Sequence, residues 1–246
     1  MIHIEELFCR LANGTLQNTS LATEDGDIDE DGKSKVVIAI NEALTRLHSR
    51  FLLKEGNVIV EMQEGRTNYP LLKKYAIQSY DPTEVPCPYI IDLSGEAFDE
   101  DVIKILAVYD DLGCQRALND ADDCWSVFTP RPNWLQNPRP RNREALNVTY
   151  QAKHTKITCD DTSDGIIDIP ETLDSALDSY IAFRVYSGIN TQEAKQSASE
   201  MLAHYEVVCA EVVAQDLVST SYSNTNTRFT KRGWQKPVRI TAPPIS

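Results

Sequence analysis

The chain has 246 residues, 41% of them apolar and 25% charged, and it carries a formal net charge of −13. A chain of this length and composition can bury a substantial core, as one large domain or as a main domain with extensions, and wholesale disorder is not expected. Its 37 acids against 24 Lys and Arg residues argue against a general nucleic-acid-binding protein, which needs surplus positive charge to contact phosphates.

Neither a membrane anchor nor secretion is expected. No apolar run approaches the ~20 residues of a membrane helix, and the N-terminal stretch MIHIEELFCR has acids where a signal peptide has bases. We therefore expect the protein to be made in a cytoplasm. Six cysteines without a C-x-x-C pair and four scattered histidines argue against a zinc site or a disulfide framework. We expect reduced, buried cysteines and no cofactor.

Two amphipathic helices are predicted at the N-terminus, within residues 1–56. The first follows from the helical spacing of Ile4, Leu7, Phe8 and Leu11. After a polar loop with an acidic second half, the second is predicted from apolar residues that recur every three or four positions: Val37, Ile40, Leu44, Leu47 and Phe51. We expect Gly56 to end this helix and the two helices to pack together.

A β-rich module is predicted over residues 57–160. Residues 58–63 alternate in polarity and are followed by a turn at 64–65, and VIKILAVY at 102–109 is a β-branched run before DDLG, which favours a hairpin with CQRALND. A second alternating stretch is NVTYQAKHTKIT at 147–158. Between them, TPRPNWLQNPRPRNRE has four prolines, and we expect 129–143 to be an extended surface loop because proline does not fit a central strand.

A helical hairpin is predicted over residues 161–216. Asp168 and Glu171 have the spacing of a capping box, and Asp174 lies where a helix dipole favours negative charge. Gly188 ends this first helix, and Asn190 with Glu193 repeats the capping signal for a second. The apolar stripe of the first helix is Leu173, Ala176, Leu177, Tyr180, Ile181 and Val185; that of the second is Ala194, Ala198, Met201, Tyr205, Val208 and Val212.

Together these elements predict an α+β fold that is mainly α: a helical bundle with a C-terminal αα-hairpin, an inserted small β-rich module and an extended C-terminal arm. The arm is residues 217–246, which contain five cations and no acid. Basic residues interleaved with Phe229 and Trp234 are typical of an arm that orders as it docks onto a partner. Nucleic acid is the rival target of such an arm, and a frayed terminus is the plain alternative.

Two groups of acidic residues are candidate metal ligands. Asp168, Glu171, Asp174 and Asp178 could hold a divalent metal, but no histidine joins them, and capping or solvation explains their positions better. The acidic loop at 24–31 contains Asp27, Asp29, Asp31 and Gly32 with the spacing of a calcium loop, yet Lys35 and Ile38 stand where its later ligands belong.

No catalytic residue is assigned. Asp31-Gly-Lys33 resembles the end of a nuclease motif, but in a chain with 37 acids such a match arises by chance. The sequence contains no G-x-S-x-G, Walker or G-x-G-x-x-G motif. We therefore expect no enzyme.

Taken in order, several segments resemble the head-to-tail adaptor proteins of tailed bacteriophages, the head-completion or tail tubular protein A-like class. The resemblance covers most of residues 1–215: two apolar helices, EGRTNYPL, a strand ending VYDDLG, then IDIPETLDSALDSYIAFRVYS and a paired helix ending LAHYEVVCAEV. Its most specific part is the acidic-Pro-Glu start before ALDSYIAFRVY. The Pro-rich segment and the arm lie outside it.

The resemblance implies a structural protein of the virion at the head-tail interface (neck). Such adaptors form a ring, twelvefold in this family, beneath the portal, extend the DNA channel and provide the platform for a tail tube or nozzle protein. The implied partners are the portal, those tail proteins, further copies of the chain, and genome DNA that passes without sequence-specific binding during ejection; no membrane is implied. Acidic segments would face the channel or its rim. The expected portal-docking residues are Arg228, Phe229, Lys231, Arg232, Trp234, Lys236 and Arg239.

Two other classes remain open from the residues alone. One is a different interaction protein, either another neck or tail component or an acidic inhibitor that imitates DNA. The other is a metal-dependent nuclease with dispersed acids, for which Mg²⁺-dependent DNA cleavage is the deciding observation.

Overall fold

The computed structural model describes residues 1–23, 25–85, 87–92, 95–159 and 165–220. It is a mixed α/β structure, 37% helical and 22% strand, with four α-helices and several small sheets. Helix therefore outweighs strand, which is compatible with the predicted α+β class.

The four helices build one hydrophobic core. They are α1 (Ile4–Asn13), α2 (Glu30–Arg50), α3 (Asp174–Ser187) and α4 (Gln192–Ala214). The third helix packs against both α2 and α4, so the three long helices form a layer in the order α2, α3, α4. Two short strands, β1 (Ile2–His3) and β9 (Ile166–Ile167), pair antiparallel at the start of this core. The helical core thus combines the beginning of the chain with its last described segment.

The intervening residues build a second core between two small antiparallel sheets. The first sheet has the order β4 (Ile90–Ile91), β2 (Glu55–Glu61), β8 (Ala145–Ala152), β5 (Val102–Tyr109). The second has the order β3 (Asn68–Pro70), β7 (Trp134–Gln136), β6 (Phe128–Arg131). Short 3₁₀ turns lie at Lys73–Tyr75 and Ile77–Ser79. Apolar side chains such as Val60, Tyr69, Leu135 and Val148 are fully buried here.

The two cores meet where the chain enters and leaves the β module. The Ala152 amide donates to the Lys54 carbonyl at 2.9 Å, so the entry and exit strands are hydrogen-bonded neighbours. Gln151 Nε2 donates to the carbonyls of His48 and, at 3.0 Å, Phe51. Because the last carbonyls of a helix have no intrahelical partner, the Gln151 side chain completes the C-terminal end of α2.

Several predicted elements are confirmed. The first helix spans the predicted apolar positions, β5 has the predicted limits, and residues 64–65 form a turn with Gly65 at φ +78°. The segment after β5 does turn back, but its return is a single bridge between Tyr109 and Gln115. The longer partner of β5 is β8, which begins two residues before the predicted stretch and ends at Ala152.

The predicted helix stop at Gly56 is wrong. Helix α2 ends at Arg50, and Gly56 lies within β2, opposite Tyr150 of β8. A Cβ atom at this position would come within 2.6 Å of the Tyr150 hydroxyl oxygen, so the ring of Tyr150 occupies the space that a side chain would need. Gly56 therefore serves close strand packing instead of helix termination.

The sequence predicted a loop over the whole proline-rich segment, and this prediction is wrong for its first part. Residues 128–136 form the hairpin of β6 and β7, with Trp134 paired to both Pro70 and Arg131. Proline is tolerated because β6 is the edge of its sheet, where a missing N–H breaks no central ladder. The register shift lies between Phe128 and Arg131, an interval that contains Pro130. Only residues from 137 onward form the connection to β8.

The predicted helix caps of the C-terminal pair are also wrong in detail. Asp168 follows β9, and a 3₁₀ turn at Glu171–Leu173 intervenes before α3 begins at Asp174, without a side-chain cap. The second helix is capped by Thr191, whose hydroxyl accepts from the Ala194 amide at 3.2 Å, and not by Asn190. Gly188 ends α3 as predicted.

Candidate interaction surfaces

The acids that open the C-terminal helices are used within the fold. Arg10 of α1 reaches Asp178 of α3 with two nitrogens, Nη2 at 2.8 Å from Oδ1 and Nε at 2.8 Å from Oδ2, while its Nη1 lies 3.2 Å from Asp174 Oδ2. The Nη2–Oδ1 contact is a hydrogen bond, whereas the Nε–Oδ2 contact is a charge contact without hydrogen-bond geometry. Asp174 and Asp178 are therefore neither solvated nor capping residues; they join the first helix to the third.

Burial changes the pKa of both carboxyl groups in this ion pair. Desolvation raises the pKa of Asp178 and of Asp174, and the Arg10 guanidinium beside them opposes that rise. Glu171 and Asp168 lie exposed nearby without joining the ion pair. The four acids thus divide into two that bind Arg10 and two on the surface, which is not the convergence that a metal ion requires.

The acidic loop before α2 has a different arrangement from a calcium loop. Asp29 is the N-cap position of α2, and Gly32 lies in its first turn. A calcium loop keeps its ligands on a non-helical backbone that wraps around the ion, so a helix starting at Glu30 turns the later positions away. Lys33 instead binds Glu30 within the same turn. Across the described residues, no group of three or more His, Cys, Asp or Glu side chains is placed to hold a metal ion.

The expectation of buried cysteines holds only for Cys209. The remaining five cysteines are exposed; they are Cys9, Cys87, Cys114, Cys124 and Cys159. These cysteines lie in loops, in turns and on a helix surface. The apolar character of a cysteine was therefore not enough to predict that it is buried.

Two histidines lie close together where the helical core meets the β module. The rings of His48 and His154 have centroids 5.7 Å apart, and His48 is almost fully buried. His48 Nδ1 lies 3.4 Å from the Ala152 carbonyl oxygen; since that oxygen only accepts, Nδ1 carries the proton. Burial lowers the pKa of His48 to about 4 and also lowers the pKa of His154.

Two partly apolar surfaces lie on the helical core. A groove of about 410 Å³ between α2 and α3 is lined by the apolar residues Leu21, Ile38, Ala39, Val185 and Ile189 and by the charged residues Lys35, Glu42 and Arg184; Ile38 is 61% exposed. On α4 the exposed residues Ala203, Val207, Ala210 and Ala214 share one face at helical spacing, and the exposed Glu206 and Glu211 flank them. We refer to these as the α2/α3 groove and the α4 outer face.

An unexpected surface lies on the β module, and we call it the arginine surface. The name covers one segment of the chain, residues 125–143, with Trp125, Trp134 and the exposed side chains of Arg131, Arg139, Arg141 and Arg143. Arg141 lies over Trp125 and Arg131 over Trp134, each guanidinium carbon 4.5 Å from the ring centroid. The sequence carries a signal for it, because residues 124–143 contain four arginines and no acid. The prolines of the same segment predict only a loop, and no role was assigned to the four arginines from the sequence.

The portal-docking residues predicted in the arm, 228–239, lie outside the described residues. The last described residue, Thr220, lines a cavity of about 300 Å³ together with Leu52, Leu118 and Asn119. The Leu52 amide donates to the Ser219 carbonyl at 2.8 Å. The arm therefore leaves the described structure at the junction of the two cores.

Compared with models of known protein families and with curated protein sequences, the chain matches none. Among the described helices, none combines the length and the apolar character needed to cross a membrane.

Proposed function

We propose that the protein is a structural head-to-tail adaptor of a tailed bacteriophage, acting in the virion between the portal and the tail. In this proposal a helical bundle, closed by the α3–α4 hairpin, carries the inserted β module and a C-terminal docking arm. The observation that supports it most is the chain order: helices from both ends of the described chain share one core, and a contiguous β module is inserted between them. That order is the one implied by the resemblance of residues 1–215.

Self-association into a ring would use the α2/α3 groove and the α4 outer face. A closed ring of identical subunits needs heterologous contacts, in which one surface of a subunit meets a different surface of the next. The α2/α3 groove is concave and the α4 outer face is a convex helix surface. We assign these two surfaces to the contact between neighbouring subunits. The ring would extend the channel and provide the platform for tail components.

Portal docking is assigned to the arm. Its cations and aromatic residues supply the side chains that dominate protein interfaces, and its starting point beside Thr220 lets it leave the body at the core junction. No residue needs to perform chemistry in this role.

Native mass spectrometry of the purified protein, alone and mixed with portal rings of tailed bacteriophages, tests the proposal. We expect the protein alone to be a monomer. In the mixture we expect one copy to bind for each portal subunit. Deleting residues 217–246 should abolish this addition while leaving the thermal unfolding of the body intact. A control that removes three surface charges elsewhere, K153Q/K156Q/K195Q, should still add to the ring.

Three results would contradict the proposal. A full-length protein that stays monomeric with every portal would exclude the adaptor function. Competition with DNA for a nuclease or a repressor would favour the acidic inhibitor, and Mg²⁺-dependent DNA cleavage would favour a nuclease.

A further inference from the structure

We propose that the arginine surface of the β module contacts the phosphate backbone of double-stranded DNA without reading its base sequence. The inference rests on the proposed function for the choice of ligand, because an adaptor surrounds a passing genome. Its physical basis lies in the unpaired charges, the placement of the guanidinium groups and the rigidity of the backbone that carries them.

The four arginines have no acidic partner. Arg131, Arg139, Arg141 and Arg143 are exposed, and within the part of the chain that the structure describes none of them forms an ion pair. Elsewhere in the described structure, Arg10, Arg50, Arg116 and Arg184 are paired with carboxylates, whereas Arg46 and Arg66 bind the polar side chains of Tyr180 and Gln63. The four exposed arginines of one acid-free segment have no carboxylate partner among the described residues, which leaves their charge available to a ligand.

The chemistry of the surface favours phosphate over an apolar protein partner. Protein interfaces need an apolar centre, but here the ring face of each tryptophan is covered by a guanidinium, Trp125 by Arg141 and Trp134 by Arg131. Stacking on a ring holds a guanidinium in place and leaves the N–H groups at its edge free to donate. Phosphate oxygens accept such donors in pairs, which gives Arg its advantage at phosphate sites.

The backbone beneath these side chains is held by the fold. Trp134 lies on β7, the central strand of its sheet. The Asn137 amide donates to the Thr67 carbonyl at 2.8 Å, and the Arg143 amide donates to the Met62 carbonyl at 3.0 Å. The arginines therefore start from fixed positions, and less conformational entropy is lost when they bind.

The net charge of −13 limits the affinity without preventing contact. At physiological salt the Debye length is about 8 Å, so most acids of the protein are screened from a duplex on this surface. Acidic groups lie close by: Glu144, which is paired with Arg116, accepts the Arg141 amide at 3.4 Å, and Asp123 accepts the Trp125 amide at 2.8 Å. We therefore expect weak binding, with a Kd of roughly 10⁻⁴ to 10⁻⁶ M. Weak contact to the backbone alone lets DNA slide, as a channel requires.

Fluorescence anisotropy of a short, labelled duplex of mixed sequence, titrated with the full-length protein at several salt concentrations, tests the inference. The variant R139Q/R141Q/R143Q should weaken binding at least about tenfold, and the slope of log affinity against log salt should fall by ~2.7. The lysine variant R139K/R141K/R143K should retain most of the binding. K153Q/K156Q/K195Q removes the same charge from outside the arginine surface and should bind like the wild type.

The outcomes separate this inference from the proposed function. Equal losses in the arginine and control triples, or no binding of the wild type at roughly 50 mM salt, would overturn it. Binding that disappears on deletion of residues 217–246 would move the DNA contact to the arm and overturn it as well. Portal addition, measured on the same variants, should be unaffected. An arginine triple that loses portal addition but keeps DNA binding would identify the surface as a protein interface and reject the DNA assignment.

Discussion

Arg10 and Asp178 are 168 residues apart in the sequence, and two guanidinium nitrogens of Arg10 lie 2.8 Å from the two carboxylate oxygens of Asp178. Replacing Arg10 with Gln leaves Asp174 and Asp178 without their cation in a partly buried position. We expect R10Q to lower the free energy of unfolding by about 2 kcal/mol, less than for a fully buried pair because Arg10 is 32% exposed. Urea unfolding checks this. K33Q, which removes an exposed pair within one helix, should change stability by less than about 0.5 kcal/mol.

Stability should fall with acid because of His48. Its pKa is about 4 in the folded protein and 6.5 when unperturbed, so between these values the unfolded chain binds more protons. The free energy of unfolding therefore decreases as the pH falls from 6.5 to about 4, and His154, whose pKa is also lowered, acts in the same direction. The raised pKa of Asp178 acts in the opposite direction.

The contribution of His48 is isolated by comparing variants over that pH range. H48Q should flatten the dependence of unfolding free energy on pH, although the variant is less stable at neutral pH. H3Q, which replaces an exposed histidine, is the control variant. Parallel profiles for H48Q and the wild type would show that His48 is not the group that titrates.

Gly56 should not accept even a methyl group. In G56A the new Cβ would meet the ring of Tyr150, whose hydroxyl donates to Asp101 at 2.9 Å and therefore resists displacement. We expect a loss of about 1 to 3 kcal/mol in thermal or urea unfolding. G95A is the matched control, because among the described residues, chain neighbours aside, no atom lies within 4 Å of a methyl group placed on Gly95. A neutral G56A would mean that β2 and β8 can separate at this point.

Gln151 should be the most sensitive polar residue at the junction of the cores. Q151L leaves the carbonyls of His48 and Phe51 without their side-chain donor in a buried place, which costs about 2 to 3 kcal/mol. Calorimetry should then show an unfolding transition with a lower midpoint temperature and a greater width, because the helical core and the β module lose a shared contact. Q78L, on an exposed 3₁₀ turn, should alter stability by no more than about 0.5 kcal/mol. An unchanged transition in Q151L would contradict this role.

Periodicity was a sound guide where an element has one buried face. The stripe of α3 was predicted from its spacing, and β5 was predicted from its β-branched composition; both pack against a core. Local signals failed where a distant residue decides the structure. Gly56 carries the signature of a helix stop, but Tyr150 on a strand far along the chain explains it. The prolines of 130–140 suggested a loop, yet an edge strand tolerates Pro130.

The surfaces were harder to predict than the elements. Asp174 and Asp178 have the positions of helix-starting acids, and nothing nearby in sequence indicates that Arg10 binds both. The composition of the segment shows its arginines. The positions of the Arg131 and Arg141 guanidinium groups depend on the tryptophan rings beneath them, and these contacts are known only from the fold. Residues 228–239 of the arm lie outside the described structure, so their portal-docking role stays a prediction.

The hydrogen bond between Ala152 and Lys54 closes the β module on itself, and this has a consequence for synthesis on the ribosome. The module is one continuous stretch, so all its strands are available once Ala152 has emerged. Helices α1 and α2 emerge first, yet they must wait for Leu177, Ile181 and Cys209 before their apolar faces are covered. We therefore expect the β module, in the middle of the chain, to fold before the helical core, which contains the first residues of the chain. Until then the apolar faces of α1 and α2 stay exposed to chaperones.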